Sequence, residues 1–349
     1  MPAVARTPNP TSFGSRSHDL FVKNLGAAGG ALPRAAGRRY ALFFMFDRLP
    51  ESVSIYEVSP RDGLQNEAAP ISLESKLELL KALIASGLTR IELTSFVSPR
   101  WVPQLADAEQ LVKAAPVPPG VTVSALVPNA KGFERALAAG LKEIAVFMSA
   151  SETHNRKNTN KSIAESLQTF EEVVPPARAA GLAVRAYVST VWGCPYEGEV
   201  AVGASLGIAQ RLLELGCYQV SLGDTIGVGT PLQTQRIVRA FLAEIPAAKL
   251  ALHLHDTRGT ALANALVGLE LGIRDFDASV AGIGGCPYAP GAAGNLVTED
   301  LVYMLDGLGV KTGVALDLLI EAGRVAETVL GRHLPGKVHQ AGPRVLRPA

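Results

Sequence analysis

Three cysteines in 349 residues, Cys194, Cys217 and Cys286, are too few and too scattered for a disulfide framework. A reducing compartment is the simpler setting for such a chain. No run of 18 or more apolar residues occurs, so no segment reads as a membrane span. Charge of either sign is nearly cancelled, at a net +1, which argues against a nucleic-acid surface and against a polybasic membrane patch. Acids are scarce over residues 1–50, where only Asp19 and Asp47 interrupt a stretch rich in Arg, Ser, Ala and Gly. That stretch reads as a disordered or transit-like extension. The expected location is therefore cytoplasmic, or the mitochondrial matrix if the extension is a transit peptide. No peroxisomal tripeptide closes the C-terminus.

What is present supports a large buried core, since hydrophobic residues make up 48% of the chain and charged residues 19%. From Val53 onward, short β-branched runs alternate with longer segments of helical period. The apparent strands are Val53–Ser59, Arg90–Phe96, Val121–Pro128, Glu143–Ala150, Ala183–Val191, Tyr218–Asp224, Lys249–Asp256 and Asp275–Ile283. Between the first two, Leu73, Leu77, Leu80 and Ile84 share one helical face, with Ser72 as N-cap and Gly87 just past the end. Leu301, Leu305 and Leu308 repeat in the same way after the last run, and Gly313–Arg332 reads as an extra helix. About eight βα units in roughly 250 residues predict a (β/α)₈ TIM barrel of the α/β class with an added C-terminal helical segment. A doubly wound sheet is the alternative, but no Gly-rich dinucleotide fingerprint opens the first unit. The expected division is an extension over residues 1–50, a barrel over 51–335 and a tail over 336–349.

Active sites of such barrels lie at the carboxyl ends of the strands, so polar residues there are the candidates. The seventh strand reads Ala-Leu-His253-Leu-His255-Asp, and alternation turns both imidazoles inward and the leucines outward. Two imidazoles at i and i+2 are suited to one metal ion. Asp62, at the end of the first strand, lies across the mouth and can complete the set. Such mixed ligands with open positions suit Mg²⁺ or Mn²⁺, with zinc as the alternative. Glu92 faces inward on the second strand, where Arg61 is its expected partner, and Asp224 adds an acid at the rim of the sixth. Five glycines between Gly282 and Gly294 mark a loop that can move around Cys286. The basic segment Glu152–Lys161 reads as a loop on the same face, either holding phosphates or simply solvated.

Taken together, these motifs resemble the 3-hydroxy-3-methylglutaryl-CoA lyase family over Ser54 to Gly331. The residues that carry the resemblance are Pro-Arg61-Asp62-Gly-Leu-Gln65-Asn-Glu, Thr-Ser-Phe-Val-Ser-Pro-Arg-Trp-Val-Pro-Gln at 94–104, Gly-Cys-Pro-Tyr-Glu-Gly at 193–198, Ser-Leu-Gly-Asp224-Thr, His253-Leu-His255-Asp-Thr and the Cys286 loop through Asn295 and Glu299. The resemblance implies cleavage of that CoA thioester to acetoacetate and acetyl-CoA, as in leucine degradation and ketone-body formation. It implies metal ligation by Asp62, His253, His255 and Asn295. It also implies Arg61 and Gln65 at the substrate, Cys286 as a catalytic residue on a mobile lid, Glu92 and Asp224 as catalytic acids, and a homodimer. The chain departs from some family members in having no cysteine after Cys286, so a C-terminal thiol switch is not expected. Two other activities stand beside this one: cleavage of a longer 3-hydroxy-3-alkylglutaryl-CoA, and Claisen-type acyl transfer of the isopropylmalate synthase group. The cysteine loop and the short C-terminus favour the lyase. A barrel that holds metal without catalysis is the rival of a different class.

Overall fold

Runs of Val, Ile, Leu and Ala bounded by turn residues form eight parallel strands: β1 Ser54–Glu57, β2 Arg90–Ser95, β3 Thr122–Leu126, β4 Glu143–Ser149, β5 Ala183–Ser189, β6 Gln219–Asp224, β7 Leu250–Leu254 and β8 Asp275–Ala278. They close in chain order, with β1 pairing β8, into the predicted barrel. The computed structural model describes residues 46, 49–285 and 294–343, all within one unit, Met45–Ala349. Most of the extension expected over residues 1–50 lies outside the described residues.

The outer helices follow their sequence signals. The helix Leu73–Ala85 begins where the Ser72 hydroxyl accepts the Ser75 amide, and it buries Leu79, Leu80 and Leu83. Gly87, at φ +95, ends that turn, and a Cβ on it would sit 2.4 Å from the Gly313 carbonyl oxygen. Leu250, Leu252 and Leu254 of β7 point outward into the core as expected. Strand ends differ from the expected bounds. The run Asp275–Ile283 is a strand only to Ala278, because Ala281 and Gly282 take positive φ in a helical turn over Val280–Gly282. The basic segment Glu152–Lys161 is not a loop. Ser151 caps a helix over Glu152–Thr159, Arg156 pairs with Glu152 one turn away at 2.9 Å, and Asn160 ends it in the left-handed region.

Inside the barrel the filling is polar. Arg185 is fully buried between the rings of Tyr56 and Tyr187, at 4.2 and 5.1 Å from its guanidinium carbon. Arg61 lies 5.7 Å from the Tyr187 centroid on one side, and Arg90 lies 4.8 Å from Tyr56 on the other. Cations and aromatic rings therefore alternate through the barrel interior. Acids balance them: Glu92 pairs with Arg61, Asp277 with Arg185, and Asp275 and Glu143 with Arg90.

The residues set apart as a tail begin with a helix, Lys337–Ala341, that buries His339. Its imidazole packs on the extra helix Leu316–Leu330, where a Cβ on Gly323 would lie 2.4 Å from His339 Nδ1 and 2.8 Å from Glu299 Oε1. Glu299 is fully buried, and its Oε2 accepts the Ala281 amide at 2.7 Å. Burial pushes its carboxyl up from 4.5 to about 8, only partly offset by backbone hydrogen bonds. The folded chain thus keeps a proton that the unfolded chain releases near pH 4.5. The stability from this group is complete below that pH and is lost as pH rises through about 8. Thermal melts from pH 5 upward should show a slope in wild type of up to about 1.4 kcal/mol per pH unit that Glu299→Gln flattens. An identical slope in both proteins would remove Glu299 from the account.

Candidate active site

The strand ends converge on a cavity of about 810 Å³ at the carboxyl face. Its wall takes Arg61, Asp62 and Gln65 from the segment after β1, and His253 and His255 from β7 and its end. The first of these segments follows a backbone constraint. Glu57 is buried at the end of β1, where it accepts the Ser59 and Val280 amides at 3.0 and 2.9 Å and the Thr298 hydroxyl at 2.7 Å. These bonds tie the turn Ser59–Gly63 to the end of β8 and aim Arg61 and Asp62 inward.

Arg61 is 6% exposed, enough to touch the cavity while its charge is balanced from below. Its Nε donates to Glu92 Oε2 at 2.6 Å, as expected, and its Nη1 donates to Asp62. A register irregularity lies between Glu92 and Thr94 in β2, beside this pair. Burial works against ionisation of Asp62, but Arg61 and then the two imidazoles outweigh it and hold the carboxyl well below the usual range. Burial pushes Glu92 up, with Arg61 opposing.

His253 Nε2 lies 3.2 Å from His255 Nε2 and 3.8 Å from Asp62 Oδ2. The ligand atoms of Asp62, His253 and His255 all fall within 4.8 Å of one another. Burial, then the charge of His253, lowers His255 to about 4, which keeps it a neutral donor of a lone pair. Asn295 is stitched alongside by backbone bonds: the Asp256 amide donates to the Gly294 carbonyl at 3.0 Å, and the Leu296 amide to the Leu254 carbonyl at 2.8 Å. Its Nδ2 donates to Asp62 Oδ2 and to the Ile283 carbonyl, at 2.9 and 3.3 Å. That leaves Asn295 Oδ1 buried without a hydrogen-bond partner among the described residues. Two imidazole nitrogens facing each other, an anionic carboxylate and an orphaned amide oxygen are the donor set of a divalent cation, so these four residues fit one.

One of the expected site residues, Asp224, stands elsewhere. Asp224 is buried and turned from the cavity. It accepts the Val228 and Gly229 amides at 3.0 and 2.8 Å, and so holds the loop that carries Thr225 to the cavity wall. A short carboxylate followed by a Gly-rich turn satisfies that turn before it can reach the rim. Cys286 lies outside the described residues. The near root of its loop is placed: Asn66 Nδ2 donates to the Gly285 carbonyl at 2.8 Å. A Cβ on Gly294 would meet Gly284 O at 2.4 Å, so the two roots touch and only glycine fits there.

Residues that the sequence reading passed over complete the site. Tyr187 lines the cavity, its ring edge-on to His253 at 6.0 Å between centroids. Asp277 of β8 contacts His253 Nδ1 at 3.2 Å. Alternation along Ala-Val-Arg185-Ala-Tyr187 and Asp275-Phe-Asp277 would have turned these side chains inward, by the reasoning that placed Glu92. Further out, the helix Glu152–Thr159 and the residues after it bring Arg156, Lys157 and Lys161 to the mouth, beside the half-buried Phe147.

Comparison with known proteins gives the same family from three directions. A family model described as HMGL-like matches residues 52–326. Hydroxymethylglutaryl-CoA lyase of Rattus norvegicus, a mitochondrial protein, is 54% identical over 293 residues, covering 84% of this chain and 90% of the relative. The Bacillus subtilis lyase is 50% identical over 288 residues, 82% of this chain and 96% of the relative. The crystal structure of a Bacillus subtilis HMG-CoA lyase superposes with a TM-score of 0.83 at 50% identity, covering 84% of this chain and 98% of that one. An Acinetobacter baumannii HMG-CoA lyase, solved with coenzyme A and 3-methylmalate, superposes with a TM-score of 0.82 at 38% identity, covering 86% and 98%.

Proposed function

Because the chain belongs to the HMGL-like family and is a carbon–carbon lyase, we propose that it cleaves 3-hydroxy-3-methylglutaryl-CoA to acetoacetate and acetyl-CoA. The observation that carries the reading is the cluster of Asp62, His253 and His255 beside Arg61 in one large cavity. Cleavage breaks the C2–C3 bond of a tertiary alcohol. The hydroxyl proton leaves, C3 becomes a ketone, and the bond's electrons pass to C2 as a thioester enolate that must then be protonated. Asp62, His253, His255 and Asn295 would hold a divalent ion, Mg²⁺ or Mn²⁺ on this reading, which when bound would supply a Lewis acid to lower the pKa of the hydroxyl and orient the substrate. Arg61 presents fixed N–H donors to the enolate oxygen, and Glu92 beneath keeps the guanidinium aimed. Gln65 adds a polar contact to the bound substrate. Cys286 delivers the proton to C2. Asp224 acts by holding the loop of Thr225. A homodimer in the cytoplasm, or in the mitochondrial matrix if residues 1–50 act as a transit peptide, belongs to the same reading.

One assay tests it. Purified protein with Mg²⁺ or Mn²⁺ should release acetyl-CoA, together with acetoacetate, from 3-hydroxy-3-methylglutaryl-CoA faster than it releases acetyl-CoA from longer 3-alkyl esters, whose other product is the longer 3-oxo acid. Condensation of acetyl-CoA with a 2-oxo acid, without cleavage, would instead establish the synthase activity.

The basic rim gives a further expectation. Arg156 and Lys157 line the mouth and are placed to attract the CoA phosphates, although Glu152 partly neutralises Arg156. Reversing both charges should raise KM for the CoA ester by roughly tenfold at low salt, with kcat held and the salt dependence of KM weakened. An unaltered KM at low salt would show the pair to be merely solvated.

A further inference from the structure

The face of His253 away from the cavity is as tightly specified as the face toward it. Its Nδ1 lies 3.2 Å from Asp277 Oδ2. The same Oδ2 accepts the Ser221 hydroxyl at 2.8 Å and Arg185 Nη1 at 3.2 Å, while Oδ1 accepts Arg185 Nη2 at 2.6 Å. Asp277 and Arg185 are both fully buried, and Arg185 is itself fixed by Gln219 Oε1 at 3.0 Å and by the Tyr187 hydroxyl at 3.1 Å. His253 and Asp277 are register partners across β7 and β8, so the backbone brings the pair together. A carboxylate beside the Arg185 fork can only accept, so Nδ1 is the donor and the Nε2 lone pair faces His255 and Asp62.

We propose that Asp277, held by Arg185 and Ser221, is the positioning residue that fixes the tautomer and ring plane of His253 for metal binding. This rests on His253 being a metal ligand. Asp277 touches neither substrate nor ion and acts only through the imidazole. Its chemistry is that of a carboxylate–histidine–metal triad, in which outer partners typically contribute about 10–100-fold in affinity. Asn in its place can offer an N–H to Nδ1, which moves the ring proton to Nε2 and removes the lone pair from the site.

The test is Mn²⁺ binding to the full chain, followed by electron paramagnetic resonance without substrate. Asp277→Asn should weaken Mn²⁺ about 10–100-fold and also lower Tm, because it strands the Arg185 charge. The charge-balanced double variant Arg185→Met, Asp277→Asn should recover Tm but not affinity. A purely structural ion pair predicts recovery of both, so wild-type affinity in the double variant overturns the proposal. In metal-free wild type, the imidazole ¹⁵N spectrum at a pH where His253 is neutral should place its proton on Nδ1, with the resonance assigned by its loss in His253→Gln. A proton on Nε2 overturns the proposal even if neither variant folds. Wild type that binds no Mn²⁺, or binds it equally well as His253→Gln, removes the metal reading on which the inference rests. Tight wild-type binding with an unaffected Asp277→Asn removes the inference alone.

Discussion

Arg61→Gln should lower kcat by about 10²–10³, the usual cost of one charge-stabilising donor lost from a dry site. On the proposed role, in which Arg61 meets an enolate charge that develops only in the transition state, KM should change little. The structure adds a second effect of the same substitution. Arg61 is the shared counter-ion of Asp62 and Glu92, with Glu92 Oε2 only 2.6 Å from the guanidinium. Breaking a buried pair from one side commonly costs about 3–5 kcal/mol, so the variant should melt earlier as well as turn over slowly. Rate must therefore be measured per folded molecule. Arg61→Lys keeps the charge but loses the fork that spans two carboxylates, and it should recover stability more fully than rate. A folded Arg61→Gln protein with kcat within tenfold of wild type would reduce Arg61 to a structural cation.

His253→Ala should remove the ion and the activity together. One of three clustered ligand groups is lost, so Mn²⁺ affinity should fall by more than the roughly 100-fold expected for an outer-shell change. A Lewis acid's share of several kcal/mol corresponds to about 10³ or more in kcat. The fold should survive, since Asp277 keeps its bonds from Arg185 and Ser221 when the imidazole is removed. Chelator treatment of wild type should reproduce the loss, and added Mg²⁺ or Mn²⁺ should reverse it only in wild type. Unchanged metal content and unchanged turnover in His253→Ala would dissolve the metal site.

The fold was legible because period and punctuation agreed. All eight strands stand within the expected runs, and Ser72 caps its helix as its position suggested. The cavity side of the site was legible for a similar reason. Alternation along β7 aims His253 and His255, and a strand end delivers Asp62. Reading stopped where a side chain has a nearer partner than the rim. Asp224 is satisfied within its own turn by two amides. The helix Glu152–Thr159 reads as a loop in the sequence because polar residues hide its period, although its Ser cap and its Glu–Arg pair are sequence signals for a helix. Asp277 and Arg185 are not legible as site residues from strand-end position, because they sit one layer deeper, where a barrel is ordinarily packed with branched apolar residues.

That charged interior has a consequence for how such a chain can vary over generations. An apolar core drifts by single exchanges of similar volume, each nearly neutral. Here Arg185 and Asp277, or Arg61 with its two carboxylates, form sets in which the first replacement strands a buried charge and only the second relieves it. Lineages should therefore keep these sets whole or exchange them together, while the leucines around them come and go.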